Sequence, residues 1–191
     1  MTALDKISPI INAVAPVSNR SMAKIKALVE YVKIEKGQLI AQVGKRNNLE
    51  YFLIDGICKS FLHSPDGDEV SLSFFMSKSI LSPHTTRNKE GRSMINIRAL
   101  IDMEVATIPA DQFEQLMVDD LEIRHFGNEV LRNELRQKVE KEIGLASLPA
   151  KVRLQNLRAQ FPNIENQIAH SDIASYLGIT TISLSRLRSQ S

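Results

Sequence analysis

The sequence predicts an α+β protein. Helical segments flank a central run of antiparallel strands, and two short helices joined by a turn stand at the C-terminal end. Between residues 32 and 109, short apolar stretches alternate with turn residues, and no helical spacing intervenes. From residue 111 onward, apolar residues recur at three- to five-residue spacing, which is typical of helices. Strands grouped apart from helices favour an antiparallel barrel or sandwich over a parallel sheet.

Length and composition allow one medium and one small domain. The chain has 191 residues, of which 43% are hydrophobic and 24% charged, so it can bury real cores. No apolar run reaches the roughly 18 residues of a membrane span, and we expect no membrane partner. The N-terminal segment carries Asp5 and Pro9 and lacks the basic start of a signal peptide. The single cysteine, Cys58, excludes an intramolecular disulfide and a multi-cysteine metal site. These features predict a cytoplasmic protein.

The N-terminal third is predicted to hold two helices and then strands. The helices cover residues 1–16 and 18–31, with Ser18 as the N-cap of the second. In the strand region, Asp55-Gly56 separates two strand-like runs and is a hairpin signal. Pro65-Asp66-Gly67 predicts another turn, because proline presets φ and glycine takes positive φ.

A long helix is predicted in the middle of the chain. Four apolar residues on it lie four positions apart and form one face, which we call the central stripe: Leu131, Leu135, Val139 and Ile143. Either the chain's own barrel or a second copy covers this stripe, and we predict a homodimer. Gly144 weakens the helix and Pro149 can begin a new one, which places a domain boundary between them. The predicted parts are an N-terminal domain over 1–118, a dimerisation helix and hinge over 119–146, and a helix-turn-helix domain over 147–191.

The segment from residue 171 to 188 predicts the helix-turn-helix. Ser171 can cap a short helix that turns Ile173, Ala174 and Leu177 inward. Gly178 follows where a tight turn needs positive φ. Thr180 or Thr181 can cap a second helix that turns Leu184 and Leu187 inward and leaves an outward face free to enter a DNA major groove. The residues predicted to contact DNA are Ser171, Thr180, Thr181, Ser183, Arg186 and Arg188.

Charge is distributed in agreement with this prediction. Residues 151–191 contain five lysines and arginines against Glu165 and Asp172, a balance of +3, so the rest of the chain carries −1 of the total of +2. A basic C-terminal module on a neutral body is typical of a small DNA-binding domain. The alternative is that these cations only solvate helix faces.

The string DIASYLGITTISLSRLR closely resembles the C-terminal motif of Crp/Fnr-type bacterial regulators. The resemblance extends over nearly the whole chain, since KGQLIAQVG, YFLIDGICKSF, DGDEVSLSFF and ALIDMEVATI follow the order of that family's cyclic-nucleotide-binding-like β-roll. It implies an N-terminal effector-sensing antiparallel β-roll, a dimerisation helix and a C-terminal winged helix-turn-helix. It further implies a non-enzymatic, homodimeric transcription regulator on a two-fold-symmetric DNA operator, with RNA polymerase and an unknown small-molecule effector as candidate partners.

Two departures from the family motifs bear on ligands. The family's cyclic AMP binders carry Gly-Glu and Arg-Ser/Thr-Ala, whereas here Met76 and the residues after it replace Gly-Glu, and Met94 follows Arg92-Ser93. We therefore expect no cofactor and no cyclic AMP binding, and keep Arg92 as a candidate effector ligand. In the second helix, Thr181-Ile182 replaces the Arg-Glu or Pro-Glu of many relatives, while Arg186 keeps the position of the base-reading arginine.

Two other functions remain open at this stage. The helix-turn-helix can serve as a protein-interaction surface in an effector-sensing protein. A small barrel metalloprotein using His63 and His84 is a further alternative, although no histidine pair has metal-ligand spacing.

Overall fold

The computed structural model describes residues 6–81 and 86–189. The chain divides into two compact units. Unit 1 comprises Met1–Cys58 and Phe75–Glu134, and unit 2 comprises Lys59–Phe74 and Leu135–Ser191. The helix-turn-helix therefore shares its unit with a segment from the strand region that is distant along the chain.

The strands and helices follow one another as the sequence predicts. The strands are β1 (Glu30–Ile34), β2 (Leu39–Ala41), β3 (Leu49–Asp55), β4 (Ile57–His63), β5 (Glu69–Met76), β6 (Ser79–Leu81), β7 (Asn96–Ala99) and β8 (Met103–Pro109). The helices are α1 (Ser8–Val14), α2 (Asn19–Lys26), α3 (Ala110–Asp119), α4 (Leu121–Ser147), α5 (Ala150–Gln160), α6 (His170–Tyr176) and α7 (Thr181–Ser189), with a 3-10 turn at Ile164–Asn166.

The strands form two four-stranded sheets, in the orders β1-β8-β3-β6 and β2-β7-β4-β5. β8 pairs antiparallel with both β1 and β3, and β2 pairs antiparallel with β7. The predicted antiparallel barrel or sandwich is confirmed in this arrangement, and the α+β class is confirmed with it.

Strand β3 is buried on both faces. Its successive side chains point to opposite faces of the sheet, so they belong to two different apolar clusters. Tyr51 and Leu53 join an apolar cluster that also contains Cys58 and Val105. Phe52, which points the other way, joins a cluster built with the helices of unit 1. The buried helical members of that second cluster are Ile10, Ile11, Met22, Ile25, Ile123 and Phe126.

The predicted second helix is shorter than its apolar spacing indicates. Its N-cap is confirmed, because the Ser18 hydroxyl accepts a hydrogen bond from the Ser21 amide (3.4 Å). The helix ends at Lys26, however, and the extension to Tyr31 is wrong, because Tyr31 and Val32 pair with β8 as a strand. Ladder pairing with a long neighbouring strand has overridden the local helical pattern. Residues 1–5 of the first predicted helix lie outside the described residues.

The Asp55-Gly56 hairpin joins β3 to β4, as predicted. Gly56 has φ +112°, and a Cβ on it would lie 2.7 Å from Met103 Cγ and 2.8 Å from the Asp102 carbonyl oxygen. Only glycine fits this turn, because both the conformation and the contact exclude a side chain.

Helix α4 runs without interruption through Gly144 to Ser147, and α5 begins directly after Pro149. The predicted hinge before residue 147 is therefore helical, and only two residues separate the two helices. The described residues from 150 to 189 contain helices and turns but no strand, so the wing that the resemblance implies is not found among them. Within the described ranges, none of the helices has the length and apolar character needed to cross a bilayer.

Candidate nucleic-acid interface

Helices α6 and α7 pack against each other through the residues that the sequence predicts to face inward. Ile173, Ala174, Leu177 and Leu184 are all buried. The Ile179 amide donates to the Ala174 carbonyl (3.0 Å), which closes the turn tightly over the first helix. A small residue at 174 allows this close approach, because its side chain ends at Cβ.

The connecting turn has the predicted chemistry. Gly178 adopts φ +65°, in the left-handed region that favours glycine, and a Cβ there would meet Leu145 at 3.2 Å. The Thr180 hydroxyl accepts a hydrogen bond from the Ser183 amide (3.1 Å), which identifies Thr180 as the N-cap of α7. The corresponding prediction for Ser171 is wrong: the N-cap of α6 is Ala169, two residues earlier, and Ser171 is exposed in the first turn of the helix.

The outward face of α7 carries three of the residues that the sequence predicts to contact DNA. Thr181 and Arg186 are exposed, and within the described ranges the Arg186 guanidinium makes no hydrogen bond or ion pair. Ser183 is half-buried and its hydroxyl lies 3.0 Å from that of Thr180. Ile182, where many relatives have glutamate, is 65% exposed and presents an apolar side chain on the same short helix.

Arg188 is held by acidic and aromatic neighbours that the sequence did not suggest. Its guanidinium lies 3.0 Å from the Glu165 carboxylate and 3.2 Å from His170 Nδ1. Glu165 also accepts from Arg158 at 2.6 Å, and this hydrogen bond lowers the pKa of the Glu165 carboxyl below its usual value. Arg188 therefore belongs to a three-residue ion-pair network at the end of α7.

Arg153 has a structural role within unit 2. Its guanidinium donates to the carbonyls of Leu177 (3.0 Å) and Leu148 (2.6 Å). It thus closes the end of α6 onto the start of α5. Arg153 is one of the five cations in residues 151–191, and its guanidinium is directed inward.

The central stripe is exposed over most of its length. Leu135, Val139 and Ile143 are 63%, 44% and 56% exposed, whereas Leu131 is half-buried. Three large apolar side chains in water along one helix face form a surface that a partner molecule would cover. Dimerisation through the stripe stays a prediction.

Arg92, the predicted effector ligand, lies at the surface. Its guanidinium donates to the Gly44 carbonyl (2.9 Å) and lies 3.7 Å from the Glu90 carboxylate. Met94, which replaces the alanine of the cyclic AMP motif, is also exposed. The role of Arg92 in effector binding stays a prediction.

A second arginine, five residues earlier, is buried. Arg87 donates to the Glu50 carboxylate (2.6 Å) and to the Asn47 carbonyl (3.1 Å), and both side chains of the ion pair are largely shielded from water. The sequence did not indicate this pair, because the partners are 37 residues apart and neither carries a local signal.

Unit 1 contains a cavity of about 370 Å³ on the helix-facing side of β3. Glu50, Glu114, Arg124 and Asn128 are its polar lining residues, and Arg92 does not line it. Its volume and apolar character are those of a small-molecule pocket. The apolar wall consists of Phe52, Ile80, Phe113, Met117, Val118, Phe126, Val130 and Leu131.

The residues of the metalloprotein alternative are not brought together in the described part of the chain. His84 lies outside the described residues, and His63 packs edge-on against the Phe61 ring (5.5 Å between centroids). Among residues 6–81 and 86–189, no three histidine, cysteine, aspartate or glutamate side chains form a metal-binding group. Burial raises the pKa of the Cys58 thiol, which is the environment of a structural cysteine.

Residues 31–120, just under half of the chain, match the family model described as "Cyclic nucleotide-binding domain". This part of the chain is therefore similar to cyclic nucleotide-binding domains. A search of curated protein sequences gives no significant match.

Several solved structures share the fold over most of the chain. FixK2 from Bradyrhizobium japonicum matches with a TM-score of 0.72 at 18% identity, covering 85% of this chain and 83% of its own. CLP from Xanthomonas campestris, a c-di-GMP responsive global regulator, matches with a TM-score of 0.70 at 16% identity, covering 91% of each chain. A mutant of CooA from Carboxydothermus hydrogenoformans matches with a TM-score of 0.70 at 17% identity, covering 96% of this chain and 83% of its own.

The predicted resemblance to Crp/Fnr-type regulators is confirmed at the level of the domain and the fold. The cyclic nucleotide-binding domain covers the strand region, and the matched structures extend the likeness through α4 to the C-terminal helices. Two of the matched proteins are named as regulators: CLP as a global regulator, and a protein from Eubacterium rectale as a transcriptional regulator of the Crp/Fnr family.

Proposed function

We propose that this protein is a DNA-binding transcription regulator that acts as a homodimer on a two-fold-symmetric operator. The observation that carries the proposal is the α6–α7 pair. It has the buried face, turn glycine and threonine cap of a helix-turn-helix. Its second helix also carries an exposed arginine, Arg186, whose guanidinium pairs with none of the described residues. A bare helical hairpin would not need this combination.

Dimerisation is supported by the central stripe. A two-fold-symmetric dimer presents two recognition helices to half-sites one helical turn of DNA apart, so one symmetric interface suffices to define the operator's symmetry. Burying a large apolar side chain contributes about 1.5–3 kcal/mol, and each copy offers three exposed ones in the stripe.

Arg186 is the proposed base-reading residue. An arginine can form two parallel hydrogen bonds to guanine O6 and N7, which Thr181 and Ser183 cannot. We assign Ser171, Thr180 and Arg188 to the phosphate backbone. For Arg188 this assignment requires DNA phosphate to compete with Glu165 for the guanidinium.

Control by a small-molecule effector in unit 1 and contact with RNA polymerase complete the proposal. The cavity beside Phe52 and Phe126 supports a largely apolar effector, since its wall is mostly aliphatic and aromatic. Transcription in the presence of purified RNA polymerase would show whether bound protein activates or represses.

The test is selection of bound fragments from random DNA with the purified full chain. We expect the selected fragments to share a palindromic site. Arg186→Ala should then weaken binding by roughly 1–3 kcal/mol per half-site and relax preference at one base pair. Arg188→Ala should weaken binding to all sequences about equally and lower the salt slope by about one for each phosphate that it no longer neutralises.

The same experiment separates the alternatives. An equal weakening on every operator variant with Arg186→Ala would show that Arg186 only positions the helix. If no DNA is enriched and binding shows no salt dependence, the helix-turn-helix serves protein interaction instead and the proposed function is wrong.

A further inference from the structure

The exposed face of helix α7 is composed differently from the face that the sequence predicts. Its members recur at the one-, four- and five-residue spacings of a single helix face: Thr181, Ile182, Ser185, Arg186 and Ser189. Leu184 is buried on the opposite side, and Ser183 and Arg188 are half-buried. Ser183 and Arg188 therefore flank this face, and Ile182 lies on it together with Arg186.

Ile182 is a large apolar side chain in an unusual place. It is 65% exposed, and among residues 181–189 no other large apolar side chain is exposed. Helix α7 begins at Thr181, so Ile182 is the second residue of its first turn. In a helix-turn-helix, the N-terminal residues of the second helix contact the edges of the bases. Ile182 therefore occupies a position from which a base edge is reached.

Arg186 fixes the direction in which this side chain points. Ile182 and Arg186 are four residues apart, so they are neighbours on the surface of the helix. When Arg186 reaches a guanine in the major groove, Ile182 is turned toward the same groove. Water is excluded from both side chains by the same approach of the DNA.

The chemistry of isoleucine restricts what it can contact there. Its side chain has no donor or acceptor, so it makes no hydrogen bond to a phosphate or to a polar base edge. A polar edge covered by Ile182 would lose its water and gain no partner, which is unfavourable. The major groove offers one apolar group on its floor, the C5-methyl group of thymine.

We propose that Ile182 reads a thymine methyl group in each half-site, beside the guanine that Arg186 reads. This inference rests on the proposed function and adds a second specificity-determining residue to it. Four residues of helix rise about 6 Å, and successive base pairs are about 3.4 Å apart. The thymine is therefore expected about two base pairs from the guanine.

The first test removes only the methyl group from the DNA. In the operator obtained by selection, deoxyuridine replaces the thymine at this position, and competition binding compares the two operators with the full chain. The parent should bind the uracil operator about fourfold more weakly for each half-site changed, which is the effect of losing one buried methyl-sized group.

Two variants assign the effect to a side chain. Ile182→Ala should bind the thymine and uracil operators equally, since it has no side chain left to cover the methyl group. The variant is expected to fold, because position 182 is exposed and alanine favours helices. Val43→Ala is the matched control. Val43 is an apolar residue of unit 1 that is 48% exposed, and its truncation should leave the fourfold ratio unchanged.

A second test changes the base that is preferred. Glutamate accepts a hydrogen bond from the cytosine amino group, which isoleucine cannot do. Selection from random DNA with Ile182→Glu should therefore replace the thymine by cytosine, while the guanine read by Arg186 is retained. A site that keeps its thymine in this variant would contradict the inference.

The outcomes separate this inference from the proposed function. If uracil weakens the parent and Ile182→Ala by the same factor, Ile182 does not read the methyl group, and the regulator assignment stands. If the selected half-site has no thymine within about three base pairs of the guanine, the inference is wrong and Ile182 is left for a protein partner. If no DNA is enriched, the proposed function fails and this inference fails with it.

Discussion

Two contacts between a helix and strands, one in each unit, are built from different chemistry. In unit 1, α4 meets β3 through Phe126, whose ring stacks on Phe52 with 6.5 Å between centroids. Ile123 lies buried in the same apolar cluster. In unit 2, α6 meets the segment Lys59–Phe74 of strands β4 and β5 through the Lys59–Asp172 ion pair and the Ser71–Ser175 hydrogen bond, with aromatic rings at one end.

The difference bears on how each contact responds to water. Apolar side chains that separate gain nothing in return, so the contact in unit 1 opens only when the unit unfolds. Charged and hydrogen-bonding groups recover water partners on separation, so the polar part of the contact in unit 2 costs less free energy to open, whereas its Phe74, Tyr176 and Phe161 rings resist opening. A regulator of the proposed kind combines a fixed scaffold with a module that moves on DNA, and such a protein needs both behaviours.

The largest expected effect tests the apolar contact. Phe126→Ala should reduce the free energy of unfolding by about 3–5 kcal/mol, because it leaves a cavity against Phe52 and Phe113. Ser175→Ala removes a polar contact in unit 2 and should cost only about 1–3 kcal/mol. Urea denaturation followed by circular dichroism measures both. Equal destabilisation would remove the distinction between the two contacts.

The sequence predicts the apolar contact far better than the polar one. Apolar spacing and turn chemistry are local signals, and Phe126, Gly56 and Gly178 behave as these signals indicate. The ion pair of Lys59 with Asp172 joins residues 113 positions apart, and nothing near either residue identifies the other. A lysine inside the apolar run ICKSFL was the only hint that a buried partner was required.

The candidate site shows the same limit. Thr180 and the inward face of α7 followed from local capping and periodicity. The N-cap of α6 was misplaced by two residues, because Ser171 is a good cap by type while the backbone turns at Ala169. The Glu165 network around Arg188 depends on the loop between α5 and α6, whose geometry no spacing rule provides.

The second prediction concerns α4, which packs into an apolar core near its start and carries exposed apolar side chains near its end. One face of its first half is buried in unit 1 through Ile123 and Phe126, whereas Leu135 on the second half is exposed. Leu135→Asp should therefore leave unfolding stability nearly unchanged but abolish the homodimer, because it removes about 1.5–3 kcal/mol of apolar burial in each copy. Sedimentation at micromolar concentration should give dimers for the parent and monomers for the variant. A monomeric parent would contradict the dimer proposal.

The third prediction uses Lys141 of α4, which donates to the carbonyls of Ser71 and Leu72 in unit 2. Burial lowers the pKa of Lys141 to about 8, with a smaller contribution from Lys138. Below pH 8 the folded and unfolded chains both hold this proton, and the burial penalty is fully present. Between about pH 8 and 10.4 the folded chain releases it first, so the unfolded state binds more protons and stability rises with pH.

The measurement compares the parent with Lys141→Met by urea denaturation at about pH 7 to 10, the range that spans the folded and unfolded pKa values. The variant removes the titrating group, so the difference between the two proteins isolates it from other groups such as Cys58. After allowance for solvent screening, the parent should gain about 1–2 kcal/mol on the variant across this range. A difference that stays constant with pH would show that Lys141 is not held in a poorly solvated site.

The last prediction is that cyclic AMP has no effect on stability, and it concerns the ligand site of unit 1. The cyclic AMP binders among Crp/Fnr-type regulators carry a motif arginine and a Gly-Glu pair, whereas here Arg92 donates to the Gly44 carbonyl at the surface and Gly-Glu is missing. A ligand present at about a hundred times its dissociation constant adds about 2.7 kcal/mol of stability, which a melting curve detects easily. Millimolar cyclic AMP should therefore leave the melting temperature unchanged, with AMP as the matched control. A rise of several degrees with cyclic AMP but not with AMP would show that Arg92 reorients to bind phosphate, and that unit 1 is less fixed than its apolar contacts indicate.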